Sequence, residues 1–413
     1  MTPSSTSSSR QNPREPRSAS GVALKTLVAG LLVFGVTVGI YNGLLQLLYA
    51  GGGDINGRML TQLEMLPEIA SANHDKHRVF VFGSSMVQAG FEPAVFDKAM
   101  SAKGIEVISY NYGVGNLNPE FQELITRRIR EQFVSQNEKL ALTLIEFNPF
   151  QATKVRKSFT NVTADQNLAV LATNSELWEI TMLDPTRGIR LFNIRYLRDG
   201  FSAELITSIP AIFTSNLGPR GASKEYQEAA KRTGQLSRRF RELRDQDAPI
   251  QGSDQWNAAL RGGRIDKSRL STEALVALGQ WAESARYSGF MENDLFRRVR
   301  TADILELRFD DEVIKAFVAM VTNLRAVSEV IEVILLPRNP DWITYTPEVQ
   351  QRLDEVLRHI ENETGVQVRN FQVHANITPA HFLDTTHLSY YDGIDIFTEI
   401  LADEYADALE KLR

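Results

Sequence analysis

Residues 79–91 read VFVFGSSMVQAGF. Four apolar residues of high strand preference, Val79 to Phe82, run without alternation, as in a strand covered on both faces. Gly83, Ser84 and Ser85 follow, and then a helix-like stretch. The pattern predicts a strand-to-helix turn presenting a hydroxyl at the carboxyl edge of a parallel sheet, where open α/β folds place ligands. Far along the chain, DTTHLS at 384–389 offers a carboxylate and an imidazole three residues apart. A hydroxyl is a poor nucleophile at neutral pH; it needs a base, and the base needs a partner that fixes its tautomer. Ser85, His387 and Asp384 have the chemistry for those three roles. Ser84 is the alternative hydroxyl, since either serine can cap the helix that follows.

The rhythm on both sides of this turn extends the reading. HRVFVFG, IEVISYN and KLALTLIEF read as strands, separated by the helical stretches FEPAVFDKAMSAKG and PEFQELITRRIREQFVS. The alternation resumes with the helix DEVIKAFVAMVTNLRAVSE, the strand IEVILLP, the helix TPEVQQRLDEVLRHIENETG, the strand VQVRNF and a terminal helix over 391–413. Strand–helix units of this length predict an α/β fold, a parallel sheet sandwiched by helices. The rhythm occupies 78–150 and 305–413, so one domain is expected to be split by an insertion at 151–304. That insertion has few apolar runs and several helical ones (SELWEITML, KEYQEAAKRTGQLSRRFRELRD, STEALVALGQWAESARY) and is expected to be largely helical.

Residues 26–50, TLVAGLLVFGVTVGIYNGLLQLLYA, carry no charge, and a bilayer-spanning helix needs about 20 such residues. The run exceeds the roughly 7–15-residue core of a signal peptide, and Leu48-Tyr49-Ala50 is a poor small-x-small cleavage site, so an uncleaved transmembrane anchor is predicted over a cleaved signal. The Ser/Pro/Arg-rich head, 1–25, has Arg10, Arg14, Arg17 and Lys25 against Glu15, a net +3 within an overall −6. It is expected to be a disordered cytoplasmic tail, with a linker at 51–77 and the remainder outside the cytoplasm. That remainder, at −9, has no concentrated basic face, so nucleic acid is not an expected partner. The absence of cysteine excludes disulfides and thiolate chemistry.

Two further segments fall at strand ends. NYGVGNLNPEF at 111–121 places Gly113 and Gly115 where backbone N–H groups can approach an oxyanion closely. EFNPF at 146–150 adds Asn148, whose side-chain amide is a second candidate donor or a turn residue before Pro149. Arg338 and Asn339 follow IEVILLP on the same edge; a guanidinium there suits an anionic sugar or phosphate, and Trp342 suits stacking on a sugar ring. The remaining histidines lack the helical i, i+4 spacing of a zinc pair, and neither a metal nor another cofactor is expected.

These blocks, in this order, resemble the SGNH, or GDSL-like, hydrolase superfamily. Gly83-Ser84-Ser85 stands where that family has G-D-S, which implies Ser85 as nucleophile. Asn111 to Gly115 matches the glycine block one residue short, favouring Gly115 over Gly113. The family's G-x-N-D is absent, and Asn148 is offset from the place of its asparagine; Asp384-Thr385-Thr386-His387 fits the last block. The implied fold is an SGNH-like (flavodoxin-like) sheet, and the implied oxyanion hole is the Ser85 N–H with Gly115, Gly113 and Asn148. The G-S-S form, the single N-terminal span and LLPRNPDWITYTPE at 335–348 look like the membrane-anchored branch, whose members serve teichoic-acid D-alanylation and exopolysaccharide O-acetylation. That resemblance implies a Ser-His-Asp acyltransferase or esterase at the cytoplasmic membrane, facing the periplasm or extracytoplasmic space, with a polysaccharide acceptor. It also implies a multispanning membrane O-acyltransferase as partner. A noncatalytic assembly factor on the same fold, and a carbohydrate esterase or lipase, are the alternative expectations.

Overall fold

Five strands, β1 (His77–Gly83), β2 (Val107–Gly113), β3 (Leu140–Glu146), β4 (Ser328–Leu335) and β5 (Val368–Asn370), form one parallel sheet in the order β2-β1-β3-β4-β5. The computed structural model describes residues 19–48, 62–115, 118–197, 223–247, 261–262, 267–300 and 303–412. Helices α1 (Ala19–Leu48) and α2 (Leu66–Ser71) precede β1. A single turn, α3 (Ser85–Gln88), and α4 (Pro93–Ala102) lead to β2, and α5 (Pro119–Gln136) leads to β3. Between β3 and β4 come α6 (Lys154–Leu171), α7 (Asn174–Leu183), α8 (Pro185–Phe192), α9 (Lys224–Asp247), α10 (Thr272–Ala285), α11 (Ser288–Arg300) and α12 (Asp311–Arg325). Helix α13 (Pro347–Thr364) precedes β5, and α14 (Gly393–Glu410) follows it.

Alternate residues of a strand face opposite sides, so an unbroken apolar run buries both. Phe80, Phe82, Tyr110 and Tyr112 join one core with α5, α12 and α13, the Phe82 and Tyr112 rings stacking at 4.9 Å. Val79, Val81 and Val107 join the other with α4 and α14. The register keeps the turn after β1 level with that after β2, since Gly83 pairs with Gly113. Strand order reverses between β1 and β3, the switch point at which the carboxyl ends of an open parallel sheet leave a crevice.

Helix ends follow their sequence signals. Asn118 caps α5 by accepting the Phe121 N–H, with Pro119 in the first turn. Thr346 caps α13, which closes on Gly365 at φ +64°, the left-handed conformation that glycine adopts without a Cβ penalty. The run IEVILLP understates its strand: β4 starts at Ser328, inside the stretch read as helix, because Val327 O already accepts the Leu140 N–H at 2.8 Å and extends the ladder.

The outer edge of β2 is closed from the segment between α9 and α10. Asn111 N donates to Arg261 O at 2.7 Å, and Arg261 Nε donates to Ser109 O at 3.0 Å. The guanidinium also pairs with Asp97. Gly262 sits at φ +78°, and a Cβ there would lie 2.4 Å from Asn111 O. Among the described residues no helix is long and apolar enough to cross a membrane. The anchor expected over 26–50 falls partly outside them, since the side chains of 41–48 and the backbone of 49–50 are not described. The tail expected over 1–25 lies outside them as far as residue 18.

Candidate active site

Gly83 ends β1 against β3, and its lack of a side chain is required there. A Cβ would stand 2.3 Å from both Glu146 Oε2 and Val87 Cγ2. The close approach lets the buried Glu146 carboxylate take the Ser84 N–H at 2.6 Å and meet its hydroxyl at 3.1 Å. Ser84 Oγ in turn accepts the Met86 N–H at 3.2 Å and caps α3. Asn148 Nδ2 donates to the same oxygen at 2.9 Å. Ser84 is therefore consumed by the architecture of the turn, and Ser85 is left to point elsewhere.

Ser85 Oγ lies 2.8 Å from His387 Nε2. On the other side of the ring, Nδ1 lies 2.7 Å from Asp384 Oδ2. The second carboxylate oxygen, Oδ1, accepts the backbone N–H groups of Thr386 at 2.8 Å and His387 at 2.7 Å. Leu383 N donates to His387 O at 2.8 Å, closing the loop on itself. Burial works against the charge on Asp384, but His387 and the hydrogen bonds outweigh it and hold the carboxyl well below its usual range. An ionised Asp384 accepts from Nδ1–H, so that Nε2 carries the lone pair facing the serine hydroxyl. The histidine side chain is about a quarter exposed, which leaves the hydroxyl–imidazole pair within reach of a ligand.

Gly115 is the glycine next to this pair: a Cβ placed on it would lie 3.6 Å from Ser85 Cβ and 3.3 Å from Gln88 Oε1. Gly113 serves packing instead. Its N–H is taken by Asn111 Oδ1 at 2.8 Å, and a Cβ would meet Gln88 N at 2.3 Å. Asn148 does not turn toward Ser85, because its amide is committed to Ser84 Oγ and, at 3.5 Å, to Met86 Sδ. Arg338 and Asn339 are buried beneath the surface on which a sugar contact was expected. The Arg338 guanidinium lies 4.1 Å from the Phe150 ring centroid and donates to Tyr345 Oη, and among the described residues its Nε has no hydrogen-bond partner. Burial, and next the charge of Arg298, push its pKa down to about 9. Asn339 Oδ1 accepts the Asp341 N–H at 3.2 Å, and its own N–H reaches Thr385 O at 3.3 Å. Trp342 is half-buried.

Glu146 is the site residue that sequence reasoning passed over. Burial pushes its pKa up against the pull of the Ser84 hydrogen bonds. The available signal was an acidic residue closing an otherwise apolar strand, directly opposite the G-S-S turn. No protein-family model matches the chain, and no curated protein matches it. Fold and site therefore define only a class: an α/β protein with a hydroxyl, an imidazole and a carboxylate in series at the carboxyl edge of its sheet.

Proposed function

We propose that the chain is an SGNH-type acyltransferase or esterase that works through a serine ester. The observation carrying this reading is the continuous series from Ser85 Oγ through both nitrogens of His387 to Asp384, at 2.8 and 2.7 Å. Its placement at the β1/β3 switch point supports it, as does the resemblance of the G-S-S and D-T-T-H blocks to that superfamily.

In the first half-reaction Ser85 Oγ attacks an acyl carbonyl carbon while its proton passes to His387 Nε2. The carbonyl electrons move onto oxygen, and donors from the Ser85 N–H and the Gly115 turn stabilise that oxyanion; one such donor is worth about 3 kcal/mol. Collapse expels the leaving alcohol, which takes the proton back from His387. In the second half-reaction the acceptor hydroxyl gives its proton to Nε2 and attacks the serine ester. The acyl group leaves on the acceptor, and the proton returns to Ser85 Oγ. Asp384 stays ionised throughout and stabilises the imidazolium.

The acceptor in this reading is a hydroxyl of a cell-surface or secreted polysaccharide. The uncharged run at 26–50 holds the domain on the extracytoplasmic face of the membrane, beside a multispanning acyl carrier, at high effective concentration. The test is labelling of the full chain by a fluorophosphonate. Labelling that disappears in Ser85→Ala supports the enzyme. No labelling of a folded parent protein refutes it and leaves the noncatalytic assembly factor.

A further inference from the structure

The acid–base loop is held from outside the sheet. Thr385 and Thr386, the two residues between Asp384 and His387, are almost fully buried. A buried hydroxyl needs a hydrogen-bond partner, and here the partners come from α11, in the long segment between β3 and β4. Arg298 Nε donates to Thr385 Oγ1 at 2.9 Å, and Nη2 donates to Thr386 Oγ1 at 2.9 Å. Asp294, one helical turn earlier, accepts from Arg298 Nε at 2.9 Å and from the Thr385 hydroxyl. Burial opposes ionisation of Asp294, but the Arg298 charge and these hydrogen bonds prevail and hold its carboxyl below the usual range. The planar guanidinium is fixed in turn by the Phe150 ring, 4.7 Å from its centroid, and Phe150 belongs to the loop that follows β3. Thr386 closes the series: its N–H and, at 3.4 Å, its hydroxyl meet Asp384 Oδ1.

We infer that Arg298, braced by Asp294, is a positioning residue for the Asp384–His387 pair, and that through it α11 sets the alignment of the imidazole on Ser85. The inference rests on the serine-ester reading for its kinetic consequence. Its structural half, the tie between α11 and the imidazole–carboxylate bond, stands apart from any substrate. Arginine suits the task because its planar fork reaches two hydroxyls at once, which a lysine ammonium cannot do with the same rigidity.

The experiment uses the full chain in detergent and compares Arg298→Met, Arg298→Lys and Thr386→Val with the parent. Four quantities are read: fluorophosphonate labelling rate per folded molecule, kcat and KM for a small activated ester, and the downfield proton resonance of His387 Nδ1–H. The last reports the bond to Asp384 with no substrate present. In Arg298→Met, kcat and labelling should fall about 10- to 100-fold, the range expected when a catalytic group is misplaced by about 1 Å. KM should stay within about twofold, and the resonance should broaden or vanish. Arg298→Lys should recover part of both, and adding Thr386→Val to Arg298→Met should cost little more, because the two changes break one connection. A variant that melts earlier but keeps the parent's resonance and its rate per folded molecule overturns the inference. A parent that shows the resonance but never labels refutes the serine-ester reading alone, and the tie is then judged on the resonance.

Discussion

Replacing Asp384 by asparagine should abolish base catalysis while leaving the fold in place. Oδ1 accepts two backbone N–H groups, from Thr386 at 2.8 Å and His387 at 2.7 Å, whereas Oδ2 faces a single ring nitrogen at 2.7 Å. An asparagine amide has one acceptor end and one donor end. Set with its oxygen on the two N–H groups, it turns its NH2 toward His387 Nδ1; set the other way, it confronts two donors with a donor. The first orientation costs less, and it imposes the wrong tautomer, with the proton moved to Nε2. That proton then points at Ser85 Oγ, which loses its acceptor. The same change in a serine-protease triad removes roughly 10⁴ of kcat, or about 5 kcal/mol of transition-state stabilisation. The assay is the pseudo-first-order rate of fluorophosphonate labelling, with a thermal melt to show that the nearly isosteric variant remains folded. A labelling rate within about tenfold of the parent would mean that Asp384 does not set the tautomer, and the mechanism would have to be abandoned.

Other perturbations test the frame around the pair. Gly83→Ala should lose about 1–3 kcal/mol by overpacking, because its methyl falls 2.3 Å from Glu146 Oε2; chemical denaturation that leaves the midpoint unchanged would contradict the packing described. Glu146→Ala orphans the buried Ser84 N–H and should cost about 1–3 kcal/mol in the same measurement. The Asp97 carboxyl is raised from 3.8 to about 6, first by burial, with Arg261 and Ser109 opposing. The folded state thus holds its proton more tightly than the unfolded chain, so this contribution is fully present below the unfolded value and is lost as pH rises through the folded one. Between about pH 4 and 6 it should change by up to about 3 kcal/mol, read as a pH-dependent stability difference from Asp97→Asn; a difference that is flat across that window would refute it.

The centre of the sheet was legible because β1 and β3 are buried on both faces and so carry almost wholly apolar runs, VFVF and LALTLI. Helix ends were legible where chemistry marks them, at Asn118-Pro119, Thr346-Pro347 and Gly365. The pairing of Ser85 with His387 was readable because a weak nucleophile demands a base, which narrows the search to few side chains. What remained hidden depends on tertiary placement. Whether Asn148 faces an oxyanion or Ser84 Oγ turns on one rotamer, and Ser84 wins because it must be satisfied inside the turn. Arg338 reads as a surface arginine from its loop position, yet Phe150 and Tyr345 enclose it. Arg298 offers no sequence signal at all, since its partners Thr385 and Thr386 stand in a different block of the chain.

The plug on β2 has a bearing on how this chain behaves in company. An outermost strand of a parallel sheet is a row of open amides that invites another polypeptide to zip alongside. Here Arg261 occupies one such amide and Gly262 lies flat enough to let it do so. A single methyl at Gly262 would prise that cover off Asn111, and the exposed margin would then be available for a neighbouring copy to stack against.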